Sequence, residues 1–154
     1  MRGRKPQNSN VVPLTEDVRR LDFEASAKAK AKSLKPRGLD RDVSKVWDRL
    51  APCVCHPTVN RLAPHMVEAF VMLCRCIARH ERLRTVMEGE GETYETQTRN
   101  GTQLKSRPEV GQMNESFRQA LTLLRDFGLT PAAERGIRAT SDQGDFDFND
   151  GDFA

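Results

Sequence analysis

Apolar positions recur at helical spacing in three places along this chain and thin out at both ends. Val43, Val46, Trp47 and Leu50 stand at i, i+3, i+4 and i+7, one face of a short helix. Asp40 is expected to cap it and Pro52 to end it, leaving residues 53–60 as a connector. Val67, Phe70, Leu73, Cys74, Ile77, Leu83, Val86 and Met87 form a longer stripe. It predicts a helix from about Leu62 to Met87, with Pro64 in the first turn, where a missing N–H costs nothing, and Gly89 and Gly91 as the stop. Val110, Met113, Phe117, Leu121, Leu124 and Phe127 form the third stripe, flanked by Ala120 and Leu123. Pro108 opens that helix and Gly128 is a suitable C′ residue. Thr130-Pro131 is an N-cap and N1 pair for one more short helix through about Ile137.

Between the two long helices, Thr93–Lys105 alternates weakly, and Arg99-Asn100-Gly101-Thr102 carries a type I′ turn signal. A small β-hairpin is predicted there. Two long helices joined by so short an excursion are expected to pack antiparallel. The fold class is therefore all-α: an antiparallel long-helix hairpin with a minor β-hairpin and short flanking helices. A helix of roughly 25 residues is about 37 Å long, which suggests a stalk or a seam between subunits. Near the N-terminus, Thr15 with Glu16 and Asp17 predicts a helix over residues 15–34, broken by Lys35-Pro36-Arg37-Gly38. Its run Ala25–Lys32 alternates Ala and Lys without an apolar stripe. Having little to pack, it is expected to fold on a partner.

Composition adds a constraint. The 154 residues are 37% hydrophobic and the mean hydropathy is −0.66, low for a self-contained globule of this length. Part of the chain is expected to be disordered and part of the core to be completed by other copies. The net charge of +3 is unevenly placed. Residues 1–37 hold ten Lys/Arg against four Asp/Glu, and residues 141–154 hold five Asp and no Lys or Arg. Three regions follow: a basic, partly disordered arm over 1–37, a helical core and oligomerisation domain over 38–140, and an acidic-aromatic tail over 141–154. No apolar run approaches the roughly 20 residues needed to cross a bilayer. No hydrophobic block follows the first basic residues, so a secretory signal is not expected. A cytoplasmic location follows, with no membrane partner, and the four cysteines are expected to be thiols.

Catalytic signatures are absent from the sequence. It has no P-loop, no Gly-x-Ser-x-Gly and no His-Glu-x-x-His, so neither an enzyme nor a cofactor is expected. Cys53-x-Cys55-His56 and Cys74-x-Cys76 with His80 invite a zinc reading, but structural zinc pairs use Cys-x₂₋₄-Cys spacing. Cys74 and Cys76 also lie about 200° apart on a helix. No metal is expected. His80 among Arg79, Arg82 and Arg84 reads as a solvated helix face, since Glu81 and Glu88 offer local charge balance.

The basic arm is the better candidate for a polyanion. Arg2, Arg4, Lys5, Arg19, Arg20, Lys28, Lys30, Lys32, Lys35 and Arg37 are the expected DNA contacts, through phosphate rather than base edges. The alternative is a terminus that only solubilises the protein. Residues 40–60 followed by Leu62 onward would make a helix-turn-helix-like pair only if the connector were short. In the tail, Phe146, Phe148 and Phe153 alternate with acids that include Asp145 and Asp147. Such segments dock on basic, apolar pockets of partner proteins. Two other readings stand beside this one: the tail folds back onto the arm, or it serves solubility alone.

Several segments, in order and spacing, resemble the small terminase subunits of tailed bacteriophages. They are Met1-Arg-Gly-Arg-Lys-Pro6, Val46-Trp47-Asp48-Arg49-Leu50-Ala51-Pro52, the helix through Glu81-Arg82-Leu83, Tyr94-Glu-Thr-Gln-Thr-Arg-Asn-Gly101, Ser106-Arg107-Pro108 and Leu124-Arg-Asp-Phe-Gly-Leu-Thr-Pro131. The resemblance implies a non-catalytic protein that assembles into a homo-oligomeric ring of about eight to twelve subunits. It implies binding to double-stranded viral DNA near the packaging start site. It further implies recruitment and regulation of the large terminase subunit, the ATPase and nuclease that packages DNA into the procapsid. The large subunit is then the expected partner of the tail. Such a protein would act in the host cytoplasm and be absent from the mature virion. Without the resemblance, the residues also fit a small dimeric DNA-binding transcriptional regulator. The Ala25–Lys32 run and the Cys53-Val-Cys-His-Pro57 connector fall outside the resemblance, so the DNA contacts rest on charge.

Overall fold

The computed structural model describes residues 16–135. Its elements are α1 (Glu16–Leu34), α2 (Arg41–Cys55), a 3₁₀ turn (Pro64–Met66), α3 (Val67–Glu90), β1 (Thr93–Thr98), β2 (Gly101–Ser106) and α4 (Pro108–Asp126). A further helical turn occupies 131–135, begun by Thr130, whose Oγ1 accepts the Ala133 N–H at 3.4 Å. The described chain is mostly helical, with one two-stranded antiparallel sheet.

The long helices α3 and α4 form the expected antiparallel hairpin. Phe70 meets Phe127, Cys76 meets Gln119, His80 meets Phe117 and Arg107 meets Glu90, a series that rises in α3 as it falls in α4. The centre of the core is a run of three rings. Phe70 lies 5.1 Å from Trp47 and 5.0 Å from Phe127, edge to face in both cases, the arrangement that aligns ring edges with ring faces. Leu62, Val54, Leu73 and Cys74 fill in around them, fully buried.

Several expectations need correction. First, α1 does pack within the chain. Ala27 and Ala31 are buried and Leu34 is half-buried against α2. Alternating Ala and Lys places alanines at i and i+4 on one face, and their small side chains admit the neighbouring helix closely. Second, α2 continues through Pro52 to Cys55. The extra turn buries Val54 and Cys55, and that burial offsets the hydrogen bond proline cannot donate. Asp40 occupies the N-cap position but makes no side-chain capping bond.

Third, the turn of the hairpin is not type I′. Thr98 pairs with Gly101, so Arg99 and Asn100 are the central residues, and neither has positive φ. The left-handed residue is Gly101, at φ 103°, as in a type I turn closed by glycine. Fourth, the face of α4 is rotated from the predicted stripe. Ser116 and Ala120 face α3, while Phe117 is 54% exposed. Small residues let the helices approach, and the Ser116 hydroxyl is satisfied by donating to the Gln112 carbonyl at 2.8 Å. Helix α3 also runs past Gly89, and Gly91, at φ 76°, is its C-cap.

Candidate nucleic-acid interface

Of the ten basic residues expected to meet DNA, Arg2, Arg4 and Lys5 lie outside the described residues, as does the side chain of Arg19. The tail residues Asp145, Phe146, Asp147, Phe148 and Phe153 also lie outside them. Arg20, Lys28, Lys32 and Arg37 are exposed.

Helical geometry sorts the α1 lysines onto two flanks. Lys28 and Lys32 are four residues apart and share a flank. With Lys35, they line a groove of about 380 Å³ whose other walls are Ala31, Asp48 and Pro52. Lys30 points to the opposite flank, where its ammonium donates to the Asn60 side-chain oxygen. Asn60 holds the left-handed conformation at φ 44° and caps the connector through its N–H to the His56 carbonyl at 2.7 Å. The structure thus joins Lys28, Lys32 and Lys35 and separates Lys30 from them.

The groove is not purely basic. Asp48 accepts both of its contacts from Lys35, at 2.6 and 2.7 Å. That ion pair fixes Lys35 at the groove's edge and leaves Lys28 and Lys32 as its uncompensated charges. Asp48 carries no sequence signal for this role, since it sits thirteen residues from Lys35, beyond any pairing that local helical spacing shows. The α1–α2 pair can therefore offer two uncompensated cations, Lys28 and Lys32, to a polyanion, a contact that does not read bases.

Eight residues, from His56 to Ala63, separate α2 from the 3₁₀ turn. That is longer than the tight turn of a helix-turn-helix. The cysteines and histidines are dispersed. Cys55 and Cys74 are buried in the core, Cys53 is exposed, and Cys76 contacts Gln119. His56 lies against Phe23 and His80 against Phe117. Among the described residues no group of three His, Cys, Asp or Glu side chains could hold a metal ion. Burial raises the thiol pKa of Cys55 and Cys76, and that of Cys74 to about 12. No helix among the described residues is long and apolar enough to cross a membrane.

No curated protein and no solved structure matches the chain. The family model described as phage terminase, small subunit, matches residues 44–144, a span that takes in most of α2, all of α3, the hairpin and α4. The chain belongs to the phage terminase small-subunit family, and its role lies in phage DNA packaging.

Proposed function

We propose that this chain forms a homo-oligomeric ring of about eight to twelve copies, binds double-stranded viral DNA near the packaging start site, and recruits and regulates the large terminase subunit. In this reading it has no catalytic role of its own. Residues 1–37 make the DNA arm, 38–140 the oligomerisation core, and 141–154 the segment that docks on the large subunit through Phe146, Phe148, Phe153, Asp145 and Asp147.

The observation that carries the ring is the set of apolar side chains left outside the core of a single copy. Phe117 on α4 and Leu104 on β2 are each more than half exposed. Both lie within the family match. In a closed ring each copy offers one face to the next copy and a different face to the previous one, so apolar positions left exposed on separate elements are what such an assembly needs.

Native mass in solution tests this reading first. A single species of about eight to twelve subunits, unchanged by removal of residues 141–154, supports the ring. A monomer or dimer that persists with DNA and the large subunit present would overturn it and favour the dimeric regulator. The tail is tested separately, by the ATPase of the large subunit. The full chain is expected to stimulate it, and a chain ending at residue 140 to fail.

A further inference from the structure

The solvent face of α3 carries charge that no ion pair neutralises among the described residues. Glu68, Met72, Arg75, Arg79, Arg82 and Val86 follow one another at steps of four and three residues, which keeps them on one side of the helix. All six are exposed. In the sequence, Glu81 and Glu88 look like the counter-charges of this cluster, but the structure commits both elsewhere. Glu81 accepts from Arg49 of α2 at 2.8 Å, and Glu88 pairs with Arg84 at 3.2 Å.

Arg75, Arg79 and Arg82 are then left without a carboxylate within ion-pair distance among the described residues. Arg79 donates only to the neutral Gln112 side chain, at 3.1 Å. Asp42 feels the charge of Arg82, but its own partner is Lys45, at 3.0 Å. Glu68 stands at the far end of the row, seven residues before Arg75.

We infer that Arg75, Arg79 and Arg82 form a second DNA contact, in which the face of α3 binds the sugar-phosphate backbone independently of the arm. Neighbouring arginines on this face are rooted about 5–6 Å apart. Each guanidinium presents a planar fork suited to two phosphate oxygens. Three unpaired cations in a row on a rigid helix favour a polyanion over a single acidic side chain, and no aromatic ring stands among them to stack a base. This inference rests on the DNA-binding part of the proposed function and adds to it a site on the core.

The test is binding of the full chain to a labelled duplex across a salt series. Each phosphate neutralised contributes about 0.9 to the slope of log affinity against log salt. R75Q/R79Q/R82Q is therefore expected to lower that slope by about 2 to 3, with native mass and helical content unchanged. R75Q/R82Q, which spares the Gln112 contact, is expected to lower it by about 2. The triple Arg→Lys variant is expected to keep most of it. A parent chain that binds no duplex would sink the DNA reading as a whole. A parent that binds, with a slope untouched by these substitutions, would overturn only the α3 contact. Two further results would reassign the face to protein and remove the inference. One is a fall in native mass for the Gln variants. The other is a peptide of residues 141–154 that binds the parent but not the variant, with DNA affinity unchanged.

Discussion

The indole N–H of Trp47 donates to the main-chain carbonyl of Ala31 at 3.2 Å, and this bond ties the basic helix α1 to the core. The Lys35 N–H, which a continuing helix would direct to Ala31, turns to the Lys32 carbonyl instead, at 3.3 Å. The indole thus supplies a partner to a carbonyl at the fraying end of α1. Trp47 is fully buried and also stacks edge to face on Phe70. Trp47→Phe keeps a ring but orphans the carbonyl, and is expected to destabilise by about 1–3 kcal/mol. Trp47→Ala removes the ring as well, at about 3–5 kcal/mol. Urea unfolding followed by far-ultraviolet circular dichroism measures both. Equal midpoints for Trp47→Phe and the parent would show that the bond contributes nothing.

On α4, two neighbouring positions are expected to behave in opposite ways. Ala120 is buried against α3, so Ala120→Leu overpacks the seam and is expected to cost about 1–3 kcal/mol of stability. Phe117 is mostly exposed, and its ring touches only His80 among the aromatic contacts. Phe117→Asp is therefore expected to change monomer stability by no more than about 0.5 kcal/mol while lowering the native mass, because its site on the proposed ring lies between copies. A Phe117→Asp protein that unfolds early at unchanged mass would place Phe117 in the intrachain core after all.

The helices were legible in the sequence because their apolar periodicity is strong, and the long pair follows from the short excursion between Glu90 and Pro108. What escaped was decided by partners distant in sequence. A period of 3.6 cannot tell whether Phe117 or Ser116 faces α3, since both lie within one broad stripe. The choice falls to Ser116 and Ala120 because small residues permit close approach. Pro52 signals an end to α2, yet the burial of Val54 and Cys55 carries the helix on. Alternating Ala and Lys has no conventional stripe, and only the presence of α2 gives Ala27 and Ala31 something to pack on. At the candidate interface, charge alone found Lys28, Lys32 and Lys35. It could not separate Lys30, whose partner Asn60 is thirty residues away.

The thiols give a prediction in pH. Desolvation in the core raises the Cys74 pKa from 9.0 to about 12, against a smaller opposing pull from Arg49. In the unfolded chain the same thiol ionises near its ordinary value. Below that value both states hold the proton and stability is unaffected. As pH rises from about 9 toward 12, the unfolded state loses a proton that the folded state keeps, so this group progressively destabilises the fold. Thiol labelling at neutral pH is expected to modify exposed Cys53 and to spare Cys74 and Cys55 until the chain unfolds. Labelling of Cys74 at the rate of Cys53 in native protein would contradict its burial.

Arg107 holds the base of the β-hairpin, and its loss should loosen the hairpin without unfolding the helices. Its guanidinium pairs with Glu90 at 2.8 Å and lies 6.0 Å from the centroid of the Tyr94 ring, while its main-chain N–H donates to the Glu92 carbonyl at 2.9 Å. The side chain thereby joins the end of α3 and the start of β1 to the N-cap of α4, and the main-chain bond survives its removal. The strands themselves bury little. Every residue of β2 is exposed, and an isolated two-stranded hairpin is marginal in water. Arg107→Ala is expected to raise amide exchange across 93–106 by about tenfold, the equivalent of about 1.4 kcal/mol of local stability. Exchange around Phe70, Leu73 and Cys74 should stay at the parent rate, because those residues pack on Trp47 and Phe127 rather than on the hairpin. Equal acceleration in both regions would mean that the hairpin and the helical core open as one unit.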